Sequence, residues 1–154
     1  MDVPQHIGFI VDGNRRWARE RGHSTLEGHK KGADNIEPIA RHAFDKGVKY
    51  VSFFVFSTEN WKRAQEEVGY LIKLFTTVFK RDGERLVKEG YKVVFQGLFD
   101  DRINSSIAKI VDQLEGESKD NDRGTVSFCF NYGGRQEIVD SVKKIAAAGT
   151  LIQD

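Results

Sequence analysis

The chain has 154 residues, within the range of a single domain (1–154), and a compact fold of that size hides ~70% of the surface that its unfolded chain would expose. Lys+Arg 24 against Asp+Glu 23 leaves a formal net charge of +1 that is spread along the chain, which excludes a general electrostatic binder of nucleic acid. A hydrophobic fraction of 39% with 11% aromatic residues excludes intrinsic disorder.

His6 to Val11 reads as a short buried strand, broken by Asp12-Gly13-Asn14 before a polar helix that begins near Arg15. From Gly28 to Lys46 the apolar residues Ala33, Ile36, Ala40, Ala43 and Phe44 fall at helical spacing, with Gly47 just past the end. Pro38 lies inside that pattern and is expected to delete a backbone bond and bend the helix. Tyr50 to Phe56 is the second strand. Val68, Leu71, Ile72, Phe75, Val78 and Phe79 form an amphipathic stripe on a helix that runs toward Gly90. Tyr91 to Gly97 is the third strand, Ile103 to Leu114 another helical stripe, and Thr125 to Asn131 the fourth strand. The last helix carries Ile138, Val139, Val142 and Ile145 and stops at Gly149.

Strand followed by helix, repeated along the chain, predicts an α/β fold: a mostly parallel sheet with right-handed crossovers and helices on both faces. Ligands of such sheets bind beyond the carboxyl ends of the strands. Here three of those ends are polar: Asp12 to Arg16, Ser57 to Arg63, and Asn131 to Arg135. An acidic residue at a strand end, a glycine that permits close backbone approach and arginines just after it suit a metal-chelated phosphate. Magnesium is commonly held by one or two carboxylates together with the substrate's own phosphate oxygens, so Asp12 alone can serve. The plainer alternative makes Asp12 a helix cap, Arg15 and Arg16 solvated charges, and Ser57 to Asn60 a capping cluster with Trp61 tucked against it. His29 is placed in the first turn of its helix as a candidate donor to an anion. The phenylalanines at 75, 79, 95 and 99 are core or the lining of an apolar tunnel.

The single Cys129 forms no intrachain disulfide and fits a reducing cytoplasm. No apolar run approaches the ~20 residues of a spanning helix, so neither signal peptide nor membrane anchor is expected.

Taken together, His6 to Ala18, Gly28-His29-Lys30-Lys31-Gly32, Phe56 to Arg63, Glu67-Val68 and Asn131 to Arg135 closely resemble the cis-prenyltransferases, the family of undecaprenyl diphosphate synthase. The resemblance implies condensation of isopentenyl diphosphate with an allylic diphosphate such as farnesyl diphosphate, repeated with cis geometry. It points to a long-chain product, undecaprenyl diphosphate for a cell-wall lipid carrier. By match to the family motif, Asp12 holds Mg²⁺ on diphosphate, while Gly13, Asn14, Arg15, Arg16 and His29 bind the allylic diphosphate. Trp17 and Trp61 flank the site, Ser57, Thr58 and Glu59 line it, Asn60 helps in removal of the proton, and Arg63 contacts diphosphate. Thr25 stands where the family usually has a diphosphate-binding Arg, for which Arg21 is a neighbouring substitute, and Ala64 stands where Pro is common. The resemblance further implies a cytoplasmic homodimer, peripheral at the membrane that receives its product.

Family members continue to a motif of the form Arg-Thr-Ser/Gly-Gly-Glu-x-Arg-x-Ser-Asn and a following Glu, which bind isopentenyl diphosphate and share the metal. The sequence reaches Asp154 before it. The expectation is therefore a partial synthase that carries the allylic half of the site, has uncovered apolar sheet faces, and is poorly active alone. The alternative is a non-catalytic, diphosphate-binding module of the same fold that works with a partner chain. A hydrolase using Asp12 as nucleophile is a weaker third reading, since Asn14 stands where a partner acid is wanted.

Overall fold

The structure is a computed structural model that describes residues 2–149, with 99 and 104 left out. Strands β1 (His6–Ile10), β2 (Tyr50–Ser57), β3 (Lys92–Gln96) and β4 (Thr125–Tyr132) form one sheet, all pairs parallel, in the order β1-β2-β4-β3. Helices α1 (Asn14–Glu20), α2 (Thr25–Ala33) and α3 (Ile36–Asp45) connect β1 to β2. After β2 come a 3-10 turn (Thr58–Lys62), α4 (Gln65–Val78), a π turn (Phe79–Gly83) and α5 (Glu84–Lys88), and then α6 (Ser105–Ser118) between β3 and β4, and α7 (Gly134–Ala148) after β4.

The register explains the core. One row across the sheet is Ile7, Val51, Val126 and Val93, and the next on the same face is Phe9, Phe53, Phe128 and Phe95. Against these rows pack Ile36 and Ala40 of α3, Leu71 and Phe75 of α4, and Ile107 and Leu114 of α6. Phe79 sits at the centre, its ring 4.9 Å from Phe95, 5.2 Å from Phe128 and 5.6 Å from Phe75. Phe79 and Phe95 are thus core; Phe99 lies outside the described residues.

The expectation of helices over both faces meets a one-sided core. The alternate row carries Gly8, Ser52, Ser127 and Val94, and the next Ile10, Phe54, Cys129 and Gln96, a face that mixes small and polar residues with apolar ones left partly uncovered, as expected of the sheet. Ile10 remains 79% exposed and Tyr50 52%, and no residue of α7 is buried. The free edge of β3, by contrast, is closed: Val93 N–H donates to Ser118 Oγ (3.0 Å) and Phe95 N–H to Glu115 Oε1 (2.7 Å), which removes the unpaired edge donors.

The predicted helix from Gly28 to Lys46 is two helices, and Pro38 bends neither. The break falls at Asp34-Asn35, and Pro38 occupies the third position of α3, where the N–H has no partner within the helix. The first α3 bond is Ile39 N–H to Asn35 O (3.1 Å), so no bond is lost. The helix after β2 does run almost to Gly90, but through the π turn, where Gly83 lets Leu114 pack: a Cβ there would lie 2.6 Å from Leu114 Cδ1. Among the described residues no helix is long and apolar enough to cross a membrane.

Glycines fix how α1 sits on α2. A Cβ at Gly28 would lie 2.3 Å from the Asn14 carbonyl oxygen and 2.9 Å from Ala18 Cβ; one at Gly32 would lie 2.4 Å from Asn14 Oδ1. Two small residues four apart therefore allow α1 to lie directly on α2, which carries the Asp12-to-Arg16 segment against His29. Gly28→Ala is expected to cost about 1–3 kcal/mol through overpacking, read as a lower urea midpoint, whereas Gly69→Ala, with open space around its Cβ, should not lower it.

Candidate functional site

Because β1 and β2 are parallel neighbours, Asp12-Gly13-Asn14 and Ser57 emerge side by side at the same end of the sheet. Between them lies a cavity of about 350 Å³. Its mouth is polar, with Asp12, Gly13, Asn14, Arg15, Arg16, His29, Ser57, Asn60 and Arg63. Its depth is apolar, with Ile36, Phe56, Leu71, Leu74 and Phe75 among the lining residues. Phe75 is thus both core and cavity wall. A second, more polar and more open cavity shares Asp12, Gly13, Asn14 and Arg16 and adds Trp17, Arg21 and Lys31.

Asp12 is exposed and does not cap α1. Gly13, in the left-handed region at φ 86°, holds the N-cap position without a side-chain cap, and one oxygen of Asp12 accepts the Gly13 N–H at 2.6 Å. The other oxygen accepts no hydrogen bond among the described residues. No group of three or more His, Cys, Asp or Glu at metal-binding spacing occurs among the described residues. A cation held by one carboxylate and by phosphate oxygens suits this donor set, and Asp12 is the residue that would hold it.

Asn60 serves the turn in which it sits: its Oδ1 accepts the Ser57 N–H at 3.1 Å. The capping alternative for Ser57 and Asn60 therefore holds together with their place on the cavity wall, and the carboxamide NH₂ is the part of Asn60 left for other contacts. Thr58, Glu59 and Trp61 lie outside both cavity walls. Thr58 packs under Gly133, where a Cβ would come 2.7 Å from its Oγ1, and Glu59 is exposed. Trp61 packs edge-on against Phe56 and donates its indole N–H to Asn131 Oδ1 (2.8 Å), while Asn131 Nδ2 donates to Leu98 O (2.6 Å). Asn131 is 0% exposed and sits at φ 50°, the one described non-glycine with positive φ. It ties the end of β4 to the turn that presents Asn60 and Arg63. Trp17 faces the second cavity, stacked on His23 with Arg21 over its ring. Thr25 opens α2 behind the cap formed by Ser24 and Glu27 and lines neither cavity, whereas Arg21 lines the second.

His29 is the fifth residue of α2, beyond the first turn in which it was expected, because the cap at Ser24 starts the helix earlier. Its approach to an anion therefore depends on the side chain alone. That side chain is buried and meets a residue that the sequence left without a role. Glu67 Oε1 lies 2.9 Å from His29 Nε2, 3.2 Å from Arg63 Nη1 and 4.0 Å from Arg15 Nε, with the Glu67 side chain 12% exposed. A signal was present: Arg63 and Glu67 stand four apart at the start of a helix, the spacing of an ion pair. Their junction with His29, 38 residues away, is tertiary.

Burial pushes the Glu67 carboxyl up, but the His29 hydrogen bond and the charges of Arg15 and Arg63 together outweigh it and hold the group below its ordinary value. A carboxyl whose folded value is depressed stabilises the fold above its unfolded value, ~4.3, and that contribution is lost as pH falls through the folded value. Glu67→Gln is accordingly expected to lose less stability than the parent chain between pH 6 and pH 3, measured by urea unfolding across that range; parallel losses would contradict it.

The "Putative undecaprenyl diphosphate synthase" family model matches residues 10–154. The chain is 41% identical over 144 residues to isoprenyl transferase 1 of Streptomyces coelicolor, covering 94% of this chain and 52% of that one. It is 39% identical over 152 residues to the trans,polycis-polyprenyl diphosphate synthase ((2Z,6E)-farnesyl diphosphate specific) of Thermobifida fusca, covering 97% and 54%. It therefore spans about half the length of these relatives. The crystal structure of lavandulyl diphosphate synthase from Lavandula x intermedia, in complex with dimethylallyl diphosphate, superposes with a TM-score of 0.91 at 30% identity, over 97% of this chain and 65% of that one. The parallel sheet flanked by helices agrees with these matches, and the chain belongs to the undecaprenyl diphosphate synthase family of isoprenyl transferases.

Proposed function

We propose that this chain carries the allylic-diphosphate side of a magnesium-dependent cis-prenyltransferase, which condenses isopentenyl diphosphate with an allylic diphosphate such as farnesyl diphosphate. The observation that carries the reading is the division of one cavity into a cationic mouth and an apolar depth, which suits a hydrocarbon ending in diphosphate. The neighbour whose structure holds dimethylallyl diphosphate supports the substrate class.

The roles follow from charge. When the allylic C–O bond breaks, negative charge grows on the leaving diphosphate, and donors fixed beforehand stabilise it without reorganising. Arg15, Arg16 and Arg63 are those donors, and His29 joins them when its ring carries a proton on both nitrogens. Asp12 would hold Mg²⁺ on the phosphate oxygens, and the ion supplies Lewis-acid stabilisation of the leaving group. A carbon–carbon bond then forms to the isopentenyl double bond, and the new chain loses a proton. Asn60 is a neutral amide whose oxygen is already engaged, so it orients groups and does not act as base. The released diphosphate accepts the proton. Ile36, Leu71 and Phe75 take the hydrocarbon and exclude water from the breaking bond. The same proposal includes a homodimer and delivery of the lipid product to a membrane, with undecaprenyl diphosphate as the expected chain length.

Incubation of a full-length version with farnesyl diphosphate and labelled isopentenyl diphosphate, beside a generic phosphate ester, tests the reaction class: labelled prenyl product is expected, and turnover of the ester alone would sink the reading. Asp12 is exposed, so Asp12→Ala should leave the melting curve unchanged while removing the Mg²⁺-dependent part of farnesyl diphosphate affinity, about 10- to 100-fold. Unchanged dependence would place the metal elsewhere. In a full-length version Leu71→Ala should lengthen the product while costing ~2–5 kcal/mol; the same cost with unchanged product length would make Leu71 core only.

A further inference from the structure

Three segments place a nitrogen near one carboxylate oxygen: α2 through His29 and α1 through Arg15, both distant in the sequence, and the residues just before α4 through Arg63. Arg15 is 61% exposed and Arg63 29%, whereas Glu67 is 12% and His29 7%. The carboxylate is thus the inner member of the cluster and the guanidinium groups its outer members, turned to the cavity that both of them line. An ionised carboxylate only accepts hydrogen bonds, so at 2.9 Å from Oε1 the His29 Nε2 must carry the proton. That leaves Nδ1 as the ring atom through which His29 can meet a ligand. A ring free to choose its tautomer would present either nitrogen.

We infer that Glu67 is the positioning residue of this site: it fixes the His29 ring with the proton on Nε2 and holds Arg63 and Arg15 at the cavity mouth, so that a diphosphate meets two preset guanidinium donors beside a ring of fixed orientation. The inference rests on the functional reading above and adds to it a residue that lines neither cavity. Its cost is a negative charge close to where an anion binds, which by Coulomb's law alone weakens affinity. Positioning must outweigh that repulsion, and this opposition gives the test its sign.

The test is a calorimetric titration of inorganic pyrophosphate into the 154-residue chain and into Glu67→Gln, which keeps the shape and removes the charge. Positioning predicts about tenfold weaker binding to Glu67→Gln, even though the variant is one charge more positive. Equal or tighter binding by the variant would overturn the role of Glu67 and leave the functional reading standing. Absence of pyrophosphate binding by the parent chain would overturn the functional reading itself. A second measurement, independent of whether the variant folds, is the long-range ¹H–¹⁵N spectrum of His29 in the parent chain at pH 8. A proton on Nε2 is expected; a ring protonated on Nδ1 alone would overturn the inference. A merely structural Glu67 would not move the tautomer of His29 in Glu67→Gln, whereas the positioning role predicts that the Nε2–H signal broadens or shifts there.

Discussion

The contact of Glu67 with His29, shared with the neighbouring Arg63, is the interaction on which the proposed arrangement of the site rests, because it joins α2 to α4 across 38 residues of chain. Paired, nearly buried and hydrogen-bonded, the carboxylate avoids the penalty of an isolated buried charge. Its partners gain a defined direction. The sheet sets the stage for this contact by bringing out the ends of β1 and β2 side by side, and the Gly28 and Gly32 contacts seat α1 on α2 closely enough for Arg15 to lie 4.0 Å from the same carboxylate.

A second set of contacts holds the far wall. Asn131, buried and in the left-handed region, ties Trp61 to the end of β4 and to the segment that follows β3. Strain of this kind persists only where surrounding contacts over-determine it, and it tends to gather at functional sites. The 3-10 turn that bears Asn60 is thereby held from both ends, by Asn131 through Trp61 and by Gly133 against Thr58. Chemistry is concentrated on one rim, while the opposite face of the sheet leaves apolar side chains such as Ile10 exposed among small and polar ones.

Much of the fold was legible in the sequence because its periodicities are local. The four strands stand within a residue or two of where the β-branched and aromatic runs put them, and the polar strand ends marked the rim. Pro38 misled because helical spacing passes unbroken through Asp34-Asn35, and because proline is harmless in a first turn; only the caps reveal where one helix stops and the next begins. The order β1-β2-β4-β3 and the one-sided core depend on crossover choices that no single segment encodes. Within the site, Asp12, Arg15, Arg16, His29, Asn60 and Arg63 were legible as polar residues at strand ends and early helix turns. The meeting of Glu67 with His29 was not, since it belongs to the packing of two helices. Thr25, Thr58, Glu59 and Trp61, read as site residues from the motif, line neither cavity in this structure, and for Trp61 the contacts to Phe56 and Asn131 give the physical reason.

The central claim is that one cavity takes a diphosphate at its mouth and a hydrocarbon in its depth. A crystal structure of the chain with farnesyl diphosphate and Mg²⁺ tests it most directly. The account predicts phosphate oxygens within about 3 Å of guanidinium nitrogens of Arg15 or Arg63, the metal on Asp12, and the prenyl tail against Leu71 and Phe75. A tail lying on the exposed stripe of α7, or a diphosphate seated away from Asp12, would contradict it.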